Sequence, residues 1–368
     1  MAHLLINQYL CKKFHAMKKI LFILVSLAVM MTSCHKKTVT PDNLTVERNG
    51  MYILNEGVWN YNNSSISYYN LRNGNLNPDI FTAVNNRGLG DTGNDLQRYG
   101  SRLYCVVNTS ENVQVMNIYT AEVVGTVPLS GKSPRRICFS GSKAYVSCFD
   151  GTVVRFDTAT LAVEASVAVG PNPEGVCIAN GNLYVANTGG YNAPNYGTTV
   201  SVVDLGTFAV TKNINVALNP TRLYLAPNQQ DVFLIANGNY DDIPSCLQKI
   251  STLTDEVVRT FDFEITNMCV FGTKAYMYSS NYDTNYPEYT LKVMDLTTET
   301  IVNEHFISDN TVLHIPYGIA VNPANGDVFI SDVTSFTVNG DVHCYGQDGR
   351  RKFSFEAGIN PSSMVFID

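Results

Sequence analysis

The sequence has no Cys-x-x-Cys pair, no apolar run long enough to cross a bilayer comfortably, and a single tryptophan. Each absence excludes something. Without paired thiols a thiolate zinc site has no support. Of nine cysteines, seven lie beyond the leader described below (Cys105, Cys138, Cys148, Cys177, Cys246, Cys269 and Cys344), and an odd number does not make a complete disulfide framework. They sit in runs such as "LYCVVN" and "NMCVFG", where buried free thiols are expected. One tryptophan, with no Gly-His and Trp-Asp pairing, excludes WD repeats, and no Asp box carrying a tryptophan is present. There is no Gly-rich phosphate loop and no nucleophile elbow. His305, His314 and His343 lack metal-ligand spacing and are expected at the surface or hydrogen-bonded in the core.

Charge is scarce too. Charged residues make up 15% of the 368, below the roughly 25% usual in soluble domains, while Gly, Asn, Thr, Tyr and Val are plentiful. That composition suits a turn-rich, all-β chain. Met17-Lys18-Lys19, the apolar "ILFILVSLAVMM" and "MTSC" read as a signal peptide ending in a bacterial lipobox. Residues 1–33 are then a leader with its true start at Met17, Cys34 is acylated, and residues 34–48 form a polar tether. Lys12, Lys13, Lys18 and Lys19 leave with the leader, so 21 basic residues face 32 acidic ones and the net charge becomes −11. No basic patch remains, which argues against a nucleic-acid partner.

What the chain does have is repetition. "GMYILN", "SRLYCVVN", "SKAYVSC", "GNLYVAN", "QDVFLIAN", "TKAYMYSSN" and "GDVFISD" are seven copies of one aromatic-centred strand. Six follow another strand, entered in several cases by proline ("SPRRICFS", "NPEGVCIA", "NPTRLYLA", "IPYGIAVN"). A third strand ("TVVRFDT", "TVSVVDL") and a fourth complete each meander. Four-stranded meanders bury both faces only by stacking around an axis. The fold expected over 49–368 is an all-β, seven-bladed β-propeller of antiparallel blades. The orphan "NPSSMVFID" supplies the missing inner strand of the blade holding residues 50–81 and so closes the ring.

Turns at Gly141-Ser142, Asn180-Gly181, Gly272-Thr273 and Asn325-Gly326 are tight, so one face has short connections. The other face collects the long ones: 55–65, 187–199, 237–246, 279–290 and 331–340, dense in Tyr and Asn. Long loops on a rigid scaffold are where binding residues concentrate. From these loops Trp59, Tyr61, Tyr191, Tyr196, Tyr240, Asp242, Tyr282 and Tyr286 are candidate ligand-binding residues. The blade entries add Asp91, Asn94, Arg135, Glu174, Arg222 and Tyr317. Aromatic faces and amide or carboxylate groups together suit a ligand with a flat surface and a polar edge. Glu56, Asp91, Asp95 and Glu174 can line the channel mouth and meet a cation, or serve backbone turns.

The pattern P-x-G-I/V, N-G-x-L-Y-V-A-N, V-V-D resembles YncE-like or surface-layer-type seven-bladed propellers. "YILNEGVWNYNNSSISYYN" and "DIFTAVNNRGLGDTGNDL" in the first blade resemble propeller lipoproteins of gut Bacteroides, among them the BtuG-type surface lipoproteins. That resemblance implies capture of cobalamin (vitamin B12) or a related corrinoid as a transported ligand, with no cofactor and no turnover. It further implies handover to a TonB-dependent outer-membrane transporter, at the cell surface, with membrane contact through the lipid alone. Two other classes stay open: a propeller lyase or lactonase, which needs a channel-mouth His, Glu and Asp cluster holding a cation, and an adhesion or scaffold protein binding glycan or protein through a flat face.

Overall fold

A computed structural model describes residues 46–367. The leader over 1–33, the acylated Cys34 and the tether as far as residue 45 lie outside the described residues. The tether's last residues are docked on the domain: the Glu47 amide donates to the Tyr68 hydroxyl at 3.0 Å, and Asn70 Nδ2 donates to Glu47 Oε2 at 3.0 Å.

Seven four-stranded antiparallel sheets follow one another along the chain. Blade 1 holds Gly50–Asn55, Ser65–Asn70 and Leu76–Asn77, and its inner strand is Pro361–Ile367 from the far end of the chain. A short helix, Ile80–Asn85, then leads to blade 2 (93–128). Blades 3 to 7 occupy 134–168, 173–215, 220–261, 267–303 and 315–359. The ring is therefore a β-propeller clasped by pairing of its two ends, as the orphan strand predicts.

The recurring aromatic strand is the second of each blade, and its uninterrupted apolar character has a physical cause. Side chains alternate across a strand, and here both faces are covered. In blade 1, Tyr52 and Leu54 pack against Leu103, Cys105 and Ile118 of blade 2, while Met51 and Ile53 pack against Phe329 and Cys344 of blade 7. Seven such clusters fill the seven interfaces. The repeated tyrosine adds a polar tip: Tyr52 donates to the Ile118 carbonyl at 2.8 Å and Tyr184 to Asp255 Oδ1 at 2.6 Å, each on the next blade. The seven cysteines are free, and burial pushes thiols such as Cys177 up to about 12.

The asparagine ending two of these strands is a staple between blades. Asn187 Oδ1 accepts the amide of Gly170, in the connection from the preceding blade, at 3.0 Å, and its Nδ2 donates to Thr199 and Ser201. Asn55 does the same with the Gly358 amide, Ser65 and Ser67. The glycines are required by contact: a Cβ on Gly170 would lie 2.4 Å from Asn187 Cγ, and one on Gly358 would lie 2.6 Å from Asn55 Cγ. Gly170→Ala is therefore expected to destabilise by about 2 kcal/mol through overpacking. Gly88→Ala, with no atom within 4 Å of its would-be Cβ, should stay within about 0.5 kcal/mol of wild type. Urea denaturation of both variants checks this, and equal stability of the two would refute the staple.

Candidate functional site

The inner strands line the central channel, and six of the seven slip register near one end. The shifts fall at Gly93/Asp95, Pro134/Ile137, Pro173/Val176, Pro220/Arg222 and Pro316/Ile319, and between Ser363 and Pro361 in the clasp. A bulge leaves residues out of the ladder and re-aims their side chains. Proline tolerates the first position of a strand because it has no amide to pair. Asn172, Asn219 and Asn360, just before three of these prolines, take left-handed backbone, which asparagine adopts more readily than most residues.

Six residues so released meet at the channel mouth and are joined there by Thr266 from the entry of blade 6: Asn94, Arg135, Glu174, Thr221, Thr266, Tyr317 and Ser362 line one basin of about 480 Å³. Second-strand serines hold the bulges. Ser147 Oγ accepts the Arg136 amide at 3.1 Å and donates to the Glu174 carbonyl at 2.5 Å. Ser331 Oγ likewise accepts the Gly318 amide at 2.7 Å and donates to the Pro361 carbonyl at 2.5 Å.

The long loops raise an aromatic rim above this polar ring. Phe149 and Tyr191 meet edge to face at 5.2 Å, and Tyr196 and Tyr240 at 5.9 Å. Tyr282, Tyr317 and Phe336 form a triangle with centroids 6.0 to 6.2 Å apart. Tyr240 and Tyr282 stand at φ of 61° and 54°, a costly conformation for bulky side chains that persists where surroundings enforce it. A second hollow, about 510 Å³, opens between blades 5 and 6 and shares Asn237, Tyr240, Thr266 and Tyr282 with the first.

On the floor, Glu174 clamps two arginines: Oε2 lies 2.5 Å from Arg135 Nε and Oε1 lies 3.2 Å from Arg136 Nε. Burial alone would push the Glu174 carboxyl up, but the two guanidinium groups outweigh it and hold it below the usual carboxylate range. The Arg135 guanidinium also covers the Phe149 ring at 4.3 Å. Across the basin Glu56 Oε2 accepts from the Tyr317 hydroxyl at 2.6 Å, and burial raises its pKa despite that bond and the nearby Arg136.

Nine of the fourteen sequence candidates line the basin: Asn94, Arg135, Glu174, Tyr191, Tyr196, Arg222, Tyr240, Tyr282 and Tyr317. Asp242 lines the second hollow, where it accepts from Asn239 Nδ2 at 2.7 Å. The others stand apart. Trp59, Tyr61 and Tyr286 are exposed and outside both hollows. Asp91 is a scaffold residue, its carboxylate holding the Asn60 and Asn62 amides at 3.0 Å each. Sequence reading missed Arg136, Phe149, Thr188, Thr221, Thr266 and Ser362 as site residues. Thr221 and Ser362 directly follow the entry proline, the same signal that singles out Arg135, Glu174 and Tyr317. Among the described residues, no group of three or more His, Cys, Asp or Glu side chains is placed to hold a metal ion.

Fold and basin together define a seven-bladed propeller with an aromatic-rimmed hollow at one mouth of its channel. The chain belongs to the family described as Domain of unknown function (DUF5074), whose model matches residues 49–357. No curated protein matches the sequence. Among solved structures it is similar to Kuenenia stuttgartiensis hydrazine synthase, at 16% identity and TM-score 0.57, covering 68% of this chain and 74% of that one. It is also similar to the computationally designed Ika8 protein, at 15% identity and TM-score 0.57, covering 89% and 94%. At these identities the likeness shows the fold alone.

The clamp predicts a pH dependence. The folded pKa of Glu174 lies below its ordinary 4.5, so the stability it contributes is full above that value and is lost as pH falls through the folded pKa. Glu174→Gln should cost about 2 kcal/mol near neutral pH by leaving two half-buried guanidinium groups without their carboxylate. The gap to wild type should narrow on acidification below 4.5. Denaturant melts near neutrality and near pH ~3 check the sign, and a gap constant with pH would show that the clamp is not ionic.

Proposed function

We propose that this protein is a non-catalytic capture protein that binds a corrinoid of the cobalamin type in the channel-mouth basin and passes it to a TonB-dependent outer-membrane transporter. The observation that carries this reading is the aromatic rim standing over a ring of hydrogen-bonding side chains, one from each blade. A corrinoid is a broad, flat macrocycle with amides around its edge. Aromatic faces pack on the plane, while Asn94, Thr221, Thr266 and Ser362 offer donors and acceptors to the edge. The adjoining hollow extends the same surface for a ligand larger than one pocket holds. The first-blade resemblance supports the ligand class.

Titration of the purified protein with cyanocobalamin by calorimetry tests the reading. Tight one-to-one binding is expected, weakened about tenfold or more by Tyr191→Ala or Tyr240→Ala, because truncating a central aromatic anchor typically removes more than ~1.4 kcal/mol. Trp59→Ala, outside the basin, should bind as wild type does. Absence of heat and of co-elution with the red ligand would overturn corrinoid capture.

In the same proposal acyl chains on Cys34 hold the protein at the outer membrane, facing the cell exterior. Cys34→Ser is then expected to abolish palmitate incorporation and release the protein into the soluble fraction, as fractionation would show. Unchanged membrane retention would refute the anchor.

A further inference from the structure

We infer that Arg222 is an anion subsite at the waist of the channel, built to take the phosphodiester of the captured ligand. The inference rests on the corrinoid reading for the ligand's identity.

Arg222 differs from the other cations of the site in its pairing. Like Arg136, it lines both the basin at the mouth and the channel beneath. Arg135 and Arg136 are tied to Glu174, and Arg136 also donates to the Asn94 carbonyl at 2.7 Å. Among the described residues, no hydrogen bond or ion pair holds the Arg222 guanidinium. Its electrostatic neighbours are Glu174 and the phenols of Tyr224, Tyr278 and Tyr282. Three of the four are engaged elsewhere: Glu174 by its two arginines, Tyr224 by Asn267 Oδ1 at 2.7 Å, and Tyr278 by the Tyr317 carbonyl.

A guanidinium carries five N–H donors in a planar fork that matches phosphate oxygens two at a time. Holding such a group in a narrow channel without an anion is unfavourable, and a ligand that brings one relieves it. One diffuse negative charge balances the basin, whose lining sets Arg135, Arg136 and Arg222 against Glu56 and Glu174. A phosphodiester meets that condition. Cobalamin carries one between the macrocycle and its nucleotide, and cobinamide lacks it.

The test compares cyanocobalamin, dicyanocobinamide and diphenyl phosphate on the full-length protein and on Arg222→Gln, with melting curves to verify folding. The expected result has three parts. Wild type binds cyanocobalamin at least tenfold more tightly than dicyanocobinamide, Arg222→Gln removes that advantage, and diphenyl phosphate binds wild type but not the variant. If Arg222→Gln does not fold, Arg222→Lys, which keeps the charge and loses the fork, should shrink the same advantage. Equal binding of both corrinoids, with no effect of Arg222 on any probe, overturns the subsite and leaves corrinoid capture standing. Arg222-dependent binding of diphenyl phosphate with no corrinoid binding overturns corrinoid capture and leaves the subsite. Silence from all three probes overturns both.

Discussion

The slip in register at the entry of six inner strands is the constraint on which the remainder of this molecule depends. An extra residue in an antiparallel ladder frees a backbone amide and turns a side chain out of the sheet. The freed amide must be satisfied inside a dry ring, and second-strand serines do so in at least two blades. The same hydroxyls donate to the next blade's entry. Satisfying the bulge therefore joins neighbouring blades. The side chain turned out has one open direction, the axis, so the device that links the blades also builds the basin.

This coupling explains how a chain with so few charges gathers several at one place. Three arginines and Glu174 come from adjacent or nearby inner strands, and a propeller axis is where residues far apart in sequence converge. Glu174 neutralises and orients two arginines in a setting where isolated ions would be expensive. Arg222 stays outside the clamp, within electrostatic reach of Glu174 but without an ion pair to it. The result is an asymmetry between paired and unpaired guanidinium groups within one basin.

Much of the fold was legible because its signals are local. A strand covered on both faces must be apolar throughout, so "GMYILN" and "GNLYVAN" stand out without alignment, and an orphan "NPSSMVFID" has only one unpaired inner position to fill. The blade-entry candidates Arg135, Glu174 and Tyr317 were legible for the same reason, since proline marks where the ladder slips. The loops were not. Whether a loop aromatic faces the basin is decided by tertiary hydrogen bonds with no sequence signature. Asp91 holding the Asn60 and Asn62 amides shapes the segment that carries Trp59 and Tyr61, both of which stay exposed. Tyr240 instead meets Tyr196 of the neighbouring blade edge to face, and both rings line the basin.

Blade 6 breaks the symmetry in an instructive way. Its inner strand, Asn267–Phe271, alone pairs without a register shift and has no entry proline. The second hollow opens beside this blade, between its entry at Glu264–Thr266 and the blade 5 loop. Tyr282, from blade 6, and Tyr240, from blade 5, flank that opening, and both take left-handed backbone. A sevenfold ring of equal blades would present a round mouth, suited to an axially symmetric ligand. One regular blade breaks that symmetry, and the second hollow adjoins the basin on its side, sharing Tyr240 and Tyr282 with it. The departure from sevenfold symmetry therefore has a local cause, one inner strand that keeps its register, and it gives the mouth one side unlike the others.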